Sequence, residues 1–160
     1  MKIKIKVLNP LCLPKIREDG EWIDLHAAKD INLTDLSEDK KLMIPLGVIM
    51  KLPSGFEAIL APRSSSFKNY GIIQTNSIGI IDNSFCGPND EWKLSAYYIS
   101  KGKYSKIKKG DRICQFRIQL SQRATIWQKL KWLFSNKVTL IEENINVKSS
   151  RGGFGHSGVK

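Results

Sequence analysis

The feature that most constrains the fold is a series of short apolar segments separated by turn residues. Residues 2–7 read KIKIKV, a strict alternation that predicts a strand with one apolar face. Further strands are predicted at residues 22–28, 41–52, 56–61, 71–75, 78–82, 93–99, 113–120 and 138–142. Short strands that recur roughly every eight to twelve residues, without regular alternation with helices, indicate an all-β sandwich or barrel.

Two of these segments are separated by a short turn sequence. Residues 53–55 read PSG, and they lie between the apolar segment 41–52 and the strand-like segment 56–61. Pro and Gly favour tight turns because each suits a backbone conformation that other residues adopt less readily. We therefore expect the two segments to pair as a hairpin, with the first of them divided near Pro45 and Gly47.

Residues 124–135, which read ATIWQKLKWLFS, depart from the strand pattern and predict a short amphipathic helix. The apolar stripe at helical spacing contains Ile126, Trp127, Leu130, Leu133 and Phe134. Trp132 falls outside this stripe, so we expect it to be partly exposed. Two interpretations stay open: the helix docks on the sandwich or on another subunit, or it binds a membrane surface or a partner protein.

The charge balance narrows the class of partner. Among 160 residues, 26 basic and 15 acidic side chains give a formal net charge of +11, which favours anionic partners, whether nucleotides, nucleic acid or an anionic membrane. The three cysteines have no CxxC spacing, so neither a zinc site nor a disulfide framework is expected. A reducing, cytoplasmic location fits that pattern, and no signal peptide or transmembrane segment is expected.

Three loop clusters contain side chains suited to chemistry. Residues 62–66 read PRSSS, and an Arg beside hydroxyls suits phosphate groups. Residues 76–85 read NSIGIIDNSF, where Asp82 beside apolar residues suits a general base and the amide of Asn76 suits a pyrimidine edge. Residues 109–115 read KGDRICQ. Each cluster also has a plain interpretation, respectively a Ser-rich turn, an Asp that caps a turn, and a hairpin connection.

The C-terminal residues 148–160 read KSSRGGFGHSGVK and contain four glycines, so they cannot form a core. One interpretation is a flexible terminus. The other is an arm that closes on phosphate, because glycines let backbone N–H groups approach phosphate oxygens and Arg and Ser add donors. The residues alone leave both interpretations open.

Taken in order, these clusters resemble the five motifs of the trimeric dUTP diphosphatases (dUTPases). The matching segments are EWIDLHAA at 21–28, PRSS at 62–65, NSIGIIDNSFCG at 76–87, GDRICQ at 110–115 and RGGFGHSG at 151–158. The resemblance extends over residues 3–160. Segments like GEWIDL and GPND are similar to versions from low-GC Gram-positive bacteria and their phages.

The resemblance implies a fold, an activity and an assembly. The fold would be a β-jelly roll with one short helix, with residues 1–147 as the domain and 148–160 as an arm closing over the site. The activity would be Mg²⁺-dependent hydrolysis of dUTP to dUMP and pyrophosphate, which limits incorporation of uracil into DNA. The assembly would be a homotrimer with active sites shared between subunits.

The resemblance also implies residue roles. Asp82 would activate the water that attacks the α-phosphate, and Mg²⁺ would be held mainly by substrate phosphates, with Asp24 reaching it through water. The substrate-binding residues would be Arg63, Ser64, Ser65, Asn76, Gly79, Ile80, Ile81, Phe85, Lys93, Gln115, Arg151, Phe154, Gly155, His156 and Ser157. Phe85 stands where the family usually has Tyr, Cys86 replaces a basic residue, and residues 88–90 look inserted.

Two other functions, deamination of dCTP and non-catalytic regulation, are alternatives to dUTP hydrolysis. A dCTP deaminase, alone or bifunctional, would need a glutamate beside the base, and here Glu91 lies two residues before the strand. A non-catalytic regulator would bind a protein, as phage-regulatory relatives do, through the basic surface. Nucleic acid and membrane are not expected as main partners, because no basic strand is studded with the aromatic residues that single-strand binders use.

Overall fold

The structure of the protein is a computed structural model that describes residues 1–16, 18, 20–34, 40–99, 106–135 and 137–153. The strands are β1 (Lys2–Val7), β2 (Ile23–His26), β3 (Ile31–Asn32), β4 (Lys41–Pro45), β5 (Val48–Lys51), β6 (Phe56–Pro62), β7 (Ile72–Gln74), β8 (Gly79–Asp82), β9 (Lys93–Tyr98), β10 (Lys106–Ile107), β11 (Arg112–Leu120) and β12 (Thr139–Glu142). The helices are α1 (Ser66–Tyr70) and α2 (Ile126–Phe134). The predicted all-β class and the helix after the β11 segment are confirmed.

The described strands form four sheets whose orders are β12-β1-β5, β10-β3, β2-β11-β6-β8 and β4-β9-β7. Strands β1 and β12 run parallel, and the other pairs are antiparallel. The longest pairing joins β6 and β11 over seven residues of each strand. This pair lies in the middle of the four-stranded sheet, so it positions both β2 and β8.

The core is built from alternating strand residues. In β9, Leu94, Ala96 and Tyr98 are buried while the residues between them are half-buried, as the period of two predicts. Trp92 and Phe116 are fully buried, and their rings meet edge to face with centroids 5.3 Å apart. This contact joins the segment before β9 to β11, so two sheets share one core.

The predicted hairpin between residues 41–52 and 56–61 is wrong. Strand β5 pairs with β1, whereas β6 pairs with β11 and β8 in another sheet. Val48, Ile49 and Met50 are all buried, so β5 needs cover on both faces and the turn after it leads the chain into a different sheet. Apolar segments indicate burial, but their pairing partners depend on residues far away in the sequence.

The apolar stripe predicted for α2 does not face the sandwich. Its five members are 40% to 85% exposed, whereas Trp132 is half-buried against Phe56 with ring centroids 5.3 Å apart. Thr125 and Gln128 form a capping box at the helix start, and Gln128 Nε2 donates to the carbonyl of Ser54 over 2.7 Å. Because positions four residues apart share a helix face, this bond turns Gln128 and Trp132 inward. The expected partial exposure of Trp132 is confirmed, but Trp132, and not the predicted apolar stripe, packs against the sandwich.

We expect Trp132→Ala to lower the free energy of unfolding by about 2 kcal/mol, since it empties a half-buried aromatic contact. Trp127→Ala is the matched control on the same helix. Trp127 is 77% exposed, so its loss should change the free energy by less than about 0.5 kcal/mol. Urea unfolding at one fixed chain concentration measures both values. Equal destabilisation by the two variants would contradict the observed orientation of α2.

Candidate active site

The sequence-predicted site residues lie in two clefts. The first, here called the β8 pocket, has a volume of about 470 Å³. It is lined by Leu60, Gln74, Asn76, Gly79, Ile80, Ile81, Asp82, Phe85, Trp92, Lys93, Ser95, Arg151, Gly152 and Gly153. Its size and its mixture of apolar walls and few polar groups are typical of sites for small organic ligands.

Strand β8 gives this pocket a row of backbone groups. Among the described strands, β8 pairs with β6 on one side only, so it forms the edge of its sheet. An edge strand presents N–H and C=O groups that no neighbouring strand uses. Just before it, Ser77 has a positive φ of 55°, in a turn that carries the chain from β7 into β8. The pocket can therefore read the hydrogen-bonding edge of a flat ligand with main-chain atoms.

Asp82 ends β8 and is held from two sides. Its Oδ1 accepts a bond from the backbone N–H of Ser84 over 2.9 Å and another from the Ser84 hydroxyl. Its Oδ2 accepts from the guanidinium of Arg151. Asp82 thus caps the turn after β8, as one interpretation of the sequence expected, and it also lines the pocket, while its role as a general base stays a prediction.

The surroundings of Asp82 favour its ionised form. Partial burial opposes ionisation, but the hydrogen bonds from Ser84 and the positive charge of Arg151 outweigh it and lower the pKa of Asp82. A carboxylate that is ionised at neutral pH can accept a proton from water. The geometry therefore places an ionised carboxylate in the lining of the β8 pocket.

The floor and roof of the pocket add polar and aromatic groups. Residues 151–153 line the pocket, and a Cβ on Gly153 would lie 3.2 Å from Cε2 of Phe85, so backbone and ring are in close contact. Below, Gln74 Oε1 and Trp92 Nε1 are buried without a protein hydrogen-bond partner among the described residues. An acceptor and a donor of this kind suit an ordered water molecule or a polar ligand edge.

The second cleft, here called the Arg63 pocket, has a volume of about 310 Å³. It is lined by Gly20, Glu21, Trp22, Asp24, Arg63, Ser64, Arg112 and Gln115. Asp24 accepts from Arg63 Nε at 2.8 Å and from Arg112 Nη1 at 3.1 Å. One carboxylate therefore fixes two guanidinium groups, and the three side chains retain a net charge of +1. Fixed guanidinium groups suit the oxygens of a phosphate chain.

A buried hydroxyl keeps this second cleft in shape. Ser66 is 1% exposed, and its Oγ donates to the carbonyl of Ile113 over 2.7 Å and accepts from the N–H of Arg63 over 3.1 Å. The loop after β6 is thereby fixed to β11. Gln115 Nε2 donates to the carbonyl of Pro62, which adds a second link between the same elements.

The structure brings some predicted residues together and separates others. Asn76, Gly79, Ile80, Ile81, Asp82, Phe85, Lys93 and Arg151 line the β8 pocket, whereas Asp24, Arg63, Ser64 and Gln115 line the Arg63 pocket. Ser65 lies beside the second group as the N-cap of α1. The predicted residues Phe154, Gly155, His156 and Ser157 lie outside the described residues.

Sequence reasoning missed several lining residues. Arg112 stands inside the GDRICQ segment, three residues before the predicted Gln115, so the motif itself could have indicated it. Gln74, Trp92 and Ser95 carried no local signal, since only the packing of β7 against β9 brings them to the pocket.

Comparison with known proteins identifies the family. The dUTPase family model matches residues 11–158. The chain is 45% identical to the SPbeta prophage-derived deoxyuridine 5'-triphosphate nucleotidohydrolase of Bacillus subtilis. This alignment has 162 positions and covers the full length of both chains. It is 34% identical to the deoxyuridine 5'-triphosphate nucleotidohydrolase of Finegoldia magna, with 99% of each chain covered.

The chain belongs to the dUTPase family. Its fold also matches solved dUTPases. A Streptococcus mutans dUTPase superposes with a TM-score of 0.64 at 20% identity, covering 76% of this chain and 98% of that one. The G164S mutant dUTPase of Staphylococcus bacteriophage 80alpha, solved with dUpNHpp, superposes with a TM-score of 0.62 at 19% identity over 98% of both chains. The family and the jelly-roll fold expected from the motifs are confirmed.

Within the described part of the chain, no group of three or more His, Cys, Asp or Glu side chains could hold a metal ion. The helices in that same part are too short or too polar to cross a membrane.

We expect Arg151→Gln to raise the pKa of Asp82, because the variant removes a neighbouring positive charge while the Ser84 bonds remain. The charge of Arg151 favours the ionised form of Asp82, so their ion pair stabilises the folded chain. This contribution to the free energy of unfolding is fully present above the ordinary Asp pKa and is lost as the pH falls through the lowered pKa of Asp82. A pH titration of the Asp82 carboxyl by carbon NMR measures the shift.

Arg123→Gln is the control for this titration, because Arg123 lines neither pocket. It should leave the pKa of Asp82 unchanged. An unchanged Asp82 pKa in Arg151→Gln as well would show that the ion pair does not form in solution.

Proposed function

We propose that this chain hydrolyses dUTP to dUMP and pyrophosphate with Mg²⁺ and thereby limits incorporation of uracil into DNA. The observation that carries the proposal is an ionised carboxylate, Asp82, at the end of an edge strand that bounds a pocket of about 470 Å³. The names of the relatives, which are deoxyuridine 5'-triphosphate nucleotidohydrolases, support the same substrate.

The base would be read by backbone atoms. N–H and C=O groups of Gly79, Ile80 and Ile81, together with the amide of Asn76, would pair with the edge of uracil. Cytosine reverses the donor and acceptor at two of these positions, which would leave buried groups unpaired. The ring of Phe85 would pack under the deoxyribose and exclude a 2′-hydroxyl, since Phe retains the ring of the usual Tyr and lacks only its hydroxyl.

The chemical step needs a base and a leaving group. Asp82 would accept a proton from a water molecule as that water forms a bond to the α-phosphorus, and the bond from the α-phosphorus to the α,β-bridging oxygen would break to release pyrophosphate. Arg151, which pairs with Asp82 before substrate binds, would move to the phosphate chain, because the triphosphate offers it more negative charge. Lys93 on the pocket wall would add a second cation.

The phosphate chain would use the Arg63 pocket of another subunit. Asp82 pairs with Glu57 at one end of β6, while Arg63 follows the other end, six residues away and about 20 Å along a strand. The two pockets share no lining residue. A homotrimer in which Asp82 of one chain faces Arg63, Ser64, Ser65 and Gln115 of the next would close this gap.

Mg²⁺ would be held mainly by phosphate oxygens of the substrate, whose charge it would neutralise. This donor set fits the chain, because both carboxylate oxygens of Asp24 are engaged by guanidinium groups. Asp24 would therefore reach the ion only through a water molecule. Positioning of the substrate falls to Arg63, Ser64 and Gln115, whose donors surround the same cleft.

Residues 148–160 would act as the arm over the bound substrate. Arg151, Gly152 and Gly153 already line the mouth of the β8 pocket. Phe154 and Gly155 would then lie over the base, while His156 and Ser157 would donate to phosphate oxygens. A cytoplasmic location stays a prediction, and three free, buried cysteines fit a reducing compartment.

Two other functions have less support. Deamination of dCTP would need a glutamate beside the base, but Glu91 accepts from the N–H of Gly47 at 2.8 Å and is not among the residues that line the β8 pocket. A regulatory protein partner stays a prediction. No described contact favours it over catalysis.

The first test incubates the chain with Mg²⁺ and dUTP, dCTP, dTTP or UTP in separate reactions. Only dUTP should be converted, to dUMP and pyrophosphate, and Asp82→Ala should lower the rate by about 10²- to 10⁴-fold because the general base is lost. Asp30→Ala, which lies outside both pockets, should keep the parent rate. Ammonia from dCTP would support the deaminase, and equal turnover of UTP would contradict the role of Phe85. Intact dUTP in every reaction would contradict the proposed hydrolysis.

The second test asks whether one site uses two chains. Asp82→Ala and Arg63→Ala should each be inactive alone. Co-expressed in equal amounts, the two variants should recover about a quarter of the parent activity. If Asp82 and Arg63 of one site come from two neighbouring chains, random assembly makes each residue native in half of the sites, so about a quarter of the sites contain both. Two differently tagged Asp82→Ala chains are the control and should stay inactive. No recovery in the mixed protein would mean that each site lies within one chain.

A further inference from the structure

A buried carboxylate outside both pockets holds the start of the C-terminal arm. Asp90 is 1% exposed. Its Oδ2 accepts from the backbone N–H of Gly87 at 2.8 Å and of Arg151 at 2.9 Å, and its Oδ1 accepts from the N–H of Gly152 at 3.2 Å. One side chain therefore joins its own loop to two consecutive residues of the arm.

The arm crosses the loop that carries Asp90 in direct backbone contact. A Cβ built on Gly87 would lie 2.3 Å from Cα of Ser150 and 2.4 Å from the carbonyl oxygen of Ser149. Only glycine allows this approach. The N–H of Asn89 adds a bond of 2.8 Å to Oγ of Ser150. The inserted residues 88–90 noted in the sequence thus belong to a dock for the arm.

We propose that Asp90 is a positioning residue, which fixes the arm at the rim of the β8 pocket so that Arg151 reaches Asp82. The inference rests on the proposed function, because the arm matters only if the pocket works. With the N–H groups of Arg151 and Gly152 fixed, the guanidinium of Arg151 meets Asp82 and the backbone of Gly153 meets the ring of Phe85. Asp90 acts on the site through these contacts.

The chemistry of the dock requires an acid at position 90. Two carboxylate oxygens accept three N–H bonds, and each oxygen faces at least one donor. In Asp90→Asn an amide NH₂ group replaces one of the two oxygens. Because each oxygen accepts at least one backbone N–H bond, either orientation of the amide places its NH₂ donor against an N–H donor, and that bond cannot form. The variant keeps the size of the side chain and loses at least one charge-assisted bond to the arm.

The first experiment measures docking without substrate. Trypsin cleaves after Arg151 when the arm leaves the dock, and mass spectrometry of the peptide 152–160 reports the rate. Asp90→Asn should raise this rate at least about tenfold, the factor that one hydrogen bond to a charged group supplies. Ser150→Ala, which removes only the Asn89 bond and lies on the arm itself, should raise it by about threefold.

Asp30→Asn is the matched control, because Asp30 also accepts a backbone N–H, from Lys109 at 2.7 Å, but lies away from the arm. It should release the peptide at the parent rate. Parent rates for both Asp90→Asn and Ser150→Ala would overturn the dock. Because Ser150 is on the arm, its variant still tests the dock if Asp90→Asn does not fold.

The second experiment follows dUTP hydrolysis in the same variants. Asp90→Asn should lower kcat/KM at least about tenfold, and Arg151→Gln in the Asp90→Asn background should cause a smaller further loss than it causes alone, because both changes act through one residue. Full additivity would overturn the positioning role. If the parent chain does not hydrolyse dUTP, the proposed function fails while the trypsin result still decides whether the dock exists.

Discussion

The antiparallel pairing of β6 with β11 is the constraint on which the rest of the site depends. Seven residues of each strand are in register, from Cys114 opposite Pro62 to Leu120 opposite Phe56. Strand β2 pairs with the outer side of β11, and β8 with the outer side of β6. Four of the five sequence motifs are thereby attached to one sheet, and a shift of one residue in this pairing would turn their side chains to the other face.

Within that sheet, acidic side chains of the motifs are held by cations that a triphosphate would also attract. Asp24 fixes Arg63 and Arg112, and Arg151 pairs with Asp82. The charged side chains that line the β8 pocket, Asp82, Lys93 and Arg151, keep a formal excess of one positive charge. A bound triphosphate would compete for these guanidinium groups, and their preorganisation by carboxylates reduces the entropy lost on binding.

The C-terminal arm illustrates how a segment without a core is held. Residues 148–153 contribute little apolar surface, and their order derives from backbone bonds to Asp90 and from close contact with Gly87. Such bonds are weaker than a packed core and can open locally, which suits the proposed role of this segment, since an arm over the site would have to admit substrate. The loop that looks like an insertion in the sequence is what makes this contact available.

The sequence by itself determined most of the strand segments, a helix within residues 124–135, the motifs and the family, because period, turn residues and motif spacing are local properties. It did not predict β3, β10 or α1. It did not determine that β5 pairs with β1, that Trp132 packs inward while Trp127 is exposed, or that Asp90 meets Arg151. Nor did it separate Asp82 from Arg63 into two pockets. Only the tertiary structure decided these points, because each depends on contacts between residues that are distant along the chain or on the rotation of a helix by a single hydrogen bond.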